Sequence, residues 1–149
     1  MKIYVASSWR NLHQPRIVDL LRKAGHEVYD FKRPAPGDAG FHWSDIDLNW
    51  KAWTVSQYAK GLEHPLAVSG HGSDMRALQD SNLCILLLPS GRSASFEYGW
   101  WCAHNVATGL VHMPDAVEPE LMYRGSLFSS TDNELTANVV EWGRAWGLY

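Results

Sequence analysis

The amino-acid sequence predicts an α/β protein: a three-layer, flavodoxin- or Rossmann-like fold around a mainly parallel sheet of about five strands. Three observations carry that expectation. Residues 83–88, LCILLL, form an unbroken apolar run of the length expected of a strand buried on both faces. Residues 2–6, KIYVA, are aromatic and β-branched and read as a second strand. Strand-like and helix-like stretches then alternate along the chain, the order that builds a parallel sheet covered on both sides.

The elements follow in order. After KIYVA, Ser7-Ser8-Trp9-Arg10-Asn11 is a polar turn, and Ile17, Leu20 and Leu21 then recur at helical spacing up to Gly25, a natural C-cap. His26 to Phe31 reads as a second strand, completing a βαβ unit whose crossover is right-handed almost without exception. Residues 32–70 break the alternation: RPAPGDAG is a turn-rich loop, FHWSDIDLNWKAW is aromatic and acidic without a period, TVSQYAKGLE suits a short helix, and HPLAVSGHG reads as loop. A loop this long in a small domain is either disordered or functional, and its aromatic content argues against disorder. The sequence is therefore read as a single domain, 1–149, with an aromatic lid-like insertion at about 32–70. A surface excursion whose Trp43, Trp50 and Trp53 cover core or a subunit interface is the alternative.

Ser73 reads as the N-cap of a short helix leading into the 83–88 strand. Pro89-Ser90-Gly91-Arg92 is a turn, and a helix over 95–108 would carry Glu97 in its first turn. Leu110–Met113 is a fourth short strand, ELMYRG the end of a fifth, and Asn133–Trp146 a terminal amphipathic helix with Leu135, Val139, Trp142 and Trp146 on one face.

Composition narrows the function. A chain of 149 residues is one domain by length and buries about two-thirds of its unfolded surface. A net charge of -3 without a basic run excludes a nucleic-acid polymer as partner. No apolar stretch approaches the ~18 residues of a membrane span, and the first residues run directly into a strand with no signal peptide. Two cysteines, Cys84 in a strand and Cys102 in a helix, suit reduced core residues in a cytoplasmic protein. Seven histidines are scattered without ligand spacing, so no metal and no cofactor is expected.

In open α/β sheets ligands bind at the C-terminal ends of the strands. Ser7 and Arg10 in the first turn, Trp43 in the insertion, and the turn Ser90-Gly91-Arg92-Ser93 would converge there. That last turn could hold a phosphate through backbone N–H groups and the Arg92 guanidinium. Three groups could do chemistry: Glu97, the sole acidic residue between Asp80 and Asp115; Asp74; and Tyr4, able to hydrogen-bond a carboxylate. Carboxylates serve as nucleophiles at anomeric carbons, with a second acid protonating the leaving group. Each residue also has a plain alternative: a dipole-favourable surface Glu, a helix-start Asp and a core Tyr.

The stretches KIYVASSWR, DMRALQDSNLCILLLPSGRSASFEYGWW and ELMYRGS resemble the nucleoside 2-deoxyribosyltransferase superfamily, which includes the 2'-deoxynucleoside 5'-phosphate N-hydrolases. Its pattern is matched by Ile3-Tyr4-Val5-Ala6, Asp74, the 83–88 strand and Phe96-Glu97-Tyr98-Gly99. The resemblance implies that Glu97 is the nucleophile, that Asp74 assists the leaving base, that Tyr4 holds Glu97, and that a homodimer or higher homo-oligomer brings Met122, Tyr123 and Ser126 to a neighbouring site. The transferases carry an Asp six residues before the nucleophile, for the sugar 5'-hydroxyl. Gly91 followed by Arg92 stands there instead, which favours a substrate bearing a 5'-phosphate or diphosphate. Two further readings remain. One is cleavage of the nicotinamide–ribose bond of NAD, as in Toll/interleukin-receptor-like domains, which share the flavodoxin-like sheet. The other is a non-catalytic nucleotide-binding module.

Overall fold

Five strands, β1 (Lys2–Ala6), β2 (Glu27–Tyr29), β3 (Leu83–Leu87), β4 (Leu110–His112) and β5 (Leu127–Ser129), pair in the order β2-β1-β3-β4-β5. Every pair is parallel. This is the flavodoxin-like order expected from the alternation of elements. The computed structural model describes Met1 to Tyr149. The chain divides into two compact units, Met1–Tyr29 with Leu78–Tyr149, and Asp30–Ala77.

In the first unit β3 is the central strand, and all five of its residues are buried, as are Ile3 to Ala6 of β1. Each such Leu or Ile contributes roughly 1.5–3 kcal/mol by leaving water. Helix α1 (Gln14–Lys23) buries Gln14, Ile17, Val18 and Leu21, one face at helical spacing. It closes on Gly25 (φ 88°), with Gly25 N–H donating to Arg22 O and His26 N–H to Leu21 O, the paired bonds of a Schellman motif. Helix α4 (Arg92–His104) buries Ala94, Tyr98 and Trp101. Right-handed crossovers in opposite directions from the centre put α1 and α4 on opposite faces of the sheet. Helix α5 (Asp132–Ala145) starts with a Thr131/Glu134 capping box and buries Leu135, Val139 and Trp142. Trp146 lies past the helix end and is 45% exposed, so it is not part of the buried face.

The second unit has its own aromatic core. Two short 3-10 turns, Trp43–Asp45 and Trp50–Ala52, precede α2 (Val55–Leu62), which is capped by a Thr54/Gln57 box. Trp43 meets Phe41, Trp53 and Tyr58 edge to face at 4.8–5.7 Å. The Trp53 indole donates to Asp47 at 2.6 Å and holds that carboxyl below its usual range.

Several boundaries differ from the sequence reading. HPLAVSGHG is not loop: α3 runs unbroken from Pro65 to Asp80, so Ser73 is interior rather than an N-cap and Asp74 lies well inside the helix. The start is set by His64, whose Nδ1 accepts the Leu66 N–H, followed by a proline whose missing N–H costs nothing at that position. Gly70 belongs in the helix because a Cβ there would come within 3.0 Å of the Phe41 Cβ. ELMYRG is a 3-10 turn (Leu121–Gly125) before β5, not a strand end. The helix expected over 95–108 begins at Arg92 and stops at His104, where Asn105 Nδ2 donates to Trp101 O at 2.8 Å.

Candidate active site

The C-terminal ends of β1, β3 and β4 are where the parallel ladder runs out. The last registered pair between β1 and β3 is Ala6 with Leu86. Beyond it, side chains from the loop after β1 reach the strand-end carbonyls. Leu87 O accepts from Ser7 Oγ at 3.0 Å and from Asn11 Nδ2 at 3.3 Å, and Pro89 O accepts from Asn11 Nδ2 at 3.1 Å. Arg10 is exposed on the same loop, its backbone N–H held by Ser8 Oγ. The loop is tied further along by His13, whose Nε2 lies 2.6 Å from Asp115 Oδ2.

Gly91 is the N-cap of α4, in extended conformation and with no side-chain cap. The first helical bond runs from Ser95 N–H to Gly91 O at 3.3 Å, so the N–H groups of Arg92, Ser93 and Ala94 have no intrahelical acceptor. Ser90 is half-buried, while Arg92 and Ser93 are exposed. The turn thus presents helix-start donors and a guanidinium together.

Because α4 starts at Arg92, Glu97 falls in its second turn, not its first, and no acidic residue occupies the first turn. The error came from reading Ser90 to Ser93 wholly as turn. Helix-dipole stabilisation fades beyond the first turn, so a dipole-favourable surface position does not account for Glu97. The side chain is half-buried. Its charge reaches the Cys84 thiol of β3, which is pushed well up, chiefly by burial and then by Glu97. Cys84 pairs in register with Tyr4, and Tyr4 with Tyr29. Registered residues of parallel strands share a face, so Tyr4 points to the side of the sheet on which Glu97 acts. Tyr4 is 1% exposed and stacks on Tyr29 at 5.5 Å.

Tyr98, next to Glu97, fixes the rotation of α4. Its hydroxyl donates to Ser126 Oγ at 2.6 Å, and its ring lies so close to Gly109 that a Cβ there would sit 2.5 Å from ring carbon Cε2. Burial pushes the phenol pKa up. The Tyr123 phenol is also pushed up, by burial and then by Glu120. Ser126 is thus engaged with α4 of its own chain and Tyr123 is half-buried, whereas Met122 is 85% exposed.

Of the residues singled out in the sequence, Tyr4, Ser7, Ser90, Gly91, Arg92, Ser93, Glu97, Tyr123 and Ser126 belong to this strand-end and α4 assembly in the first unit. Asp74, half-buried on α3, and Trp43, in the aromatic cluster, belong to the second unit. Sequence reasoning missed Asn11 and Tyr98. Asn11 looked like one more polar turn residue, and Tyr98 like part of a motif; what marks them is the strand end and the glycine they meet. No group of three or more His, Cys, Asp or Glu side chains could hold a metal ion. No helix is long and apolar enough to cross a membrane.

Fold and site together define a flavodoxin-like α/β protein with a carboxylate on the helix that follows the central strand. No protein-family model and no curated protein matches the chain. Among solved structures, it is similar in fold to a 2-deoxyribosyltransferase from the psychrotolerant bacterium Bacillus psychrosaccharolyticus. The TM-score is 0.56 at 16% identity, over 91% of this chain and 90% of that one. The fold of the chain is therefore 2-deoxyribosyltransferase-like.

Proposed function

We propose that the protein cleaves the N-glycosidic bond of a nucleoside or nucleotide, with Glu97 as nucleophile. The observation that carries this reading is Glu97 itself. It is a half-buried carboxylate outside the reach of the helix dipole, electrostatically coupled to the central strand, on the face to which the buried Tyr4 points. The fold likeness to an enzyme named for 2-deoxyribosyl transfer supports it.

In the proposed reaction a Glu97 oxygen attacks C1' and the C1'–N bond breaks, its electron pair leaving with the base, which a general acid protonates, the role that the sequence resemblance implies for Asp74. Tyr4 donates a hydrogen bond that orients Glu97. Water then attacks C1' of the glycosyl ester and regenerates the carboxylate, giving hydrolysis; a second base in place of water gives transfer. Ser90 to Ser93, with the uncapped N–H groups of α4 and Arg92, take the 5'-phosphate or diphosphate. Ser7 and Arg10 line the strand-end side. A second copy of the chain covers the exposed Met122, completing a homo-oligomeric site.

The test is incubation with a panel of nucleosides, deoxynucleotides and NAD, with chromatography of the freed base. Base release from the wild-type protein that disappears in folded Glu97→Gln and Glu97→Ala variants is the expected result. Full activity in a folded Glu97→Ala protein overturns the mechanism. Nicotinamide as the sole base released would transfer the same chemistry to NAD. Ligand-induced melting shifts without turnover would mark a binding module.

A further inference from the structure

We propose that Asn11 is a positioning residue that sets the turn between β3 and α4, and through it the affinity for the substrate group held there. The proposal rests on the reading of Ser90 to Ser93 as the substrate's phosphate-side contact.

Asn11 is 2% exposed in a loop of otherwise accessible polar residues. One side chain joins three segments. Its Nδ2 donates to Leu87 O, the end of β3, and to Pro89 O, inside the turn; its Oδ1 accepts the His13 N–H at 2.8 Å, at the start of α1. Both carbonyls lie past the last registered β1–β3 pair, at the edge where β1 has turned away into the loop that carries Asn11. Leu87 O also has Ser7 Oγ, but for Pro89 O the Asn11 amide is the side-chain partner. Two donors fixed on carbonyls two residues apart define both the position and the direction of the turn.

The seat of α4 is separate. Ala94, Tyr98 and Trp101 anchor the helix to the sheet, and Tyr98 is locked by Ser126 and Gly109. Loss of Asn11 therefore loosens Pro89 to Ser93 while Glu97 stays in place. Binding suffers and the chemical step does not.

Asn11→Ala deletes the donors. Asn11→Asp keeps the shape and sets a carboxylate oxygen against two carbonyl oxygens. Burial and those carbonyls raise the pKa of the new carboxyl, and its protonated form restores one donor. For Asn11→Ala the expected result is a KM at least about tenfold higher for the best 5'-phosphorylated substrate, with kcat within about threefold. Asn11→Asp, expressed as a ratio to wild type at each pH, recovers as pH falls; a cavity would show no such profile. Asn138→Ala removes the same kind of bond, an amide on Phe128 O, and leaves KM unchanged. An unchanged KM in Asn11→Ala, a loss confined to kcat, or a flat Asn11→Asp ratio overturns the proposal. Hydrogen exchange decides independently of activity. Faster exchange of the Ser90 to Ser93 amides in folded Asn11→Ala, with α5 unchanged, is expected, and equal exchange overturns the role. If wild type releases no base, the functional reading fails and the exchange result alone judges Asn11.

Discussion

Alanine at Gly109 and alanine at Gly143 would each drive a Cβ into a tyrosine ring, yet the two substitutions should differ sharply in cost. At Gly109 the new atom would lie 2.5 Å from Tyr98 Cε2 and 2.7 Å from its hydroxyl oxygen. That ring is 6% exposed and its hydroxyl is bonded to Ser126, so it has nowhere to go. At Gly143 the Cβ would come closer still to Tyr149. Tyr149 is 61% exposed, with a long 3.5 Å contact to His26, and its ring can swing aside. Neither glycine has a positive φ, so strain is steric only. Overpacking a fixed ring costs about 1–3 kcal/mol. In a domain of this size that lowers Tm by roughly 3–10 °C. Gly143→Ala recovers up to about 1 kcal/mol of helix propensity and should end near neutral. Urea unfolding by far-UV circular dichroism at constant m measures both. Adding Tyr98→Leu to Gly109→Ala should cost less than the sum of the single changes. Equal midpoints for the two alanine variants, or strict additivity in the double variant, would refute the reasoning.

Two further outcomes follow from the site's surroundings. Burial lowers the pKa of His112 and His26 below the ordinary 6.5, so the unfolded chain binds protons first. Their contribution is complete above about pH 6.5 and is lost as pH falls through the lowered values, so the urea midpoint should drop between pH 7.5 and 5, less steeply in His112→Gln. The carboxyls Asp47 and Glu134 are held below 3.8 and 4.5 and act only at lower pH; a flat midpoint in the window contradicts the burial argument. Met122, Leu121 and Phe96 are 85, 82 and 68% exposed. If a second copy covers them, Met122→Asp should shift the mass seen by light scattering toward monomer, and an unchanged mass refutes that role.

Legibility in the sequence tracked how local each cause was. The six apolar residues from Leu83 needed no context to be read as a buried strand, and Gly25 ended α1 through a motif written in neighbouring residues. The first half of α3 was illegible because its glycines read as breakers, while the reason for Gly70 is a phenyl ring from Phe41, far away in sequence. Asn11 was invisible for the same reason, since its partners are 76 and 78 residues distant. Glu97 was found, but its turn of the helix was misassigned because a glycine N-cap without a side-chain cap resembles ordinary loop.

That misassignment matters for which substrate fits. With α4 starting at Arg92, the unpaired N–H groups of Arg92, Ser93 and Ala94 precede Glu97 by a rise of roughly 5–8 Å at 1.5 Å per residue. In a nucleotide, five covalent bonds separate the 5'-phosphorus from C1', a span on the order of 6 Å at ~1.5 Å per bond. One helix can then offer donors to the phosphate and a carboxylate to the anomeric carbon at matching separation. A helix starting at residue 95 could not, because Glu97 itself would stand where the phosphate must sit, and two anions would compete for one set of donors. On the proposed reading, a glycine at position 91, with no side chain to cap the helix, is what frees the helix start for an anion. A nucleoside without the phosphate leaves those donors to water, so the 5'-phosphorylated form should be the better substrate.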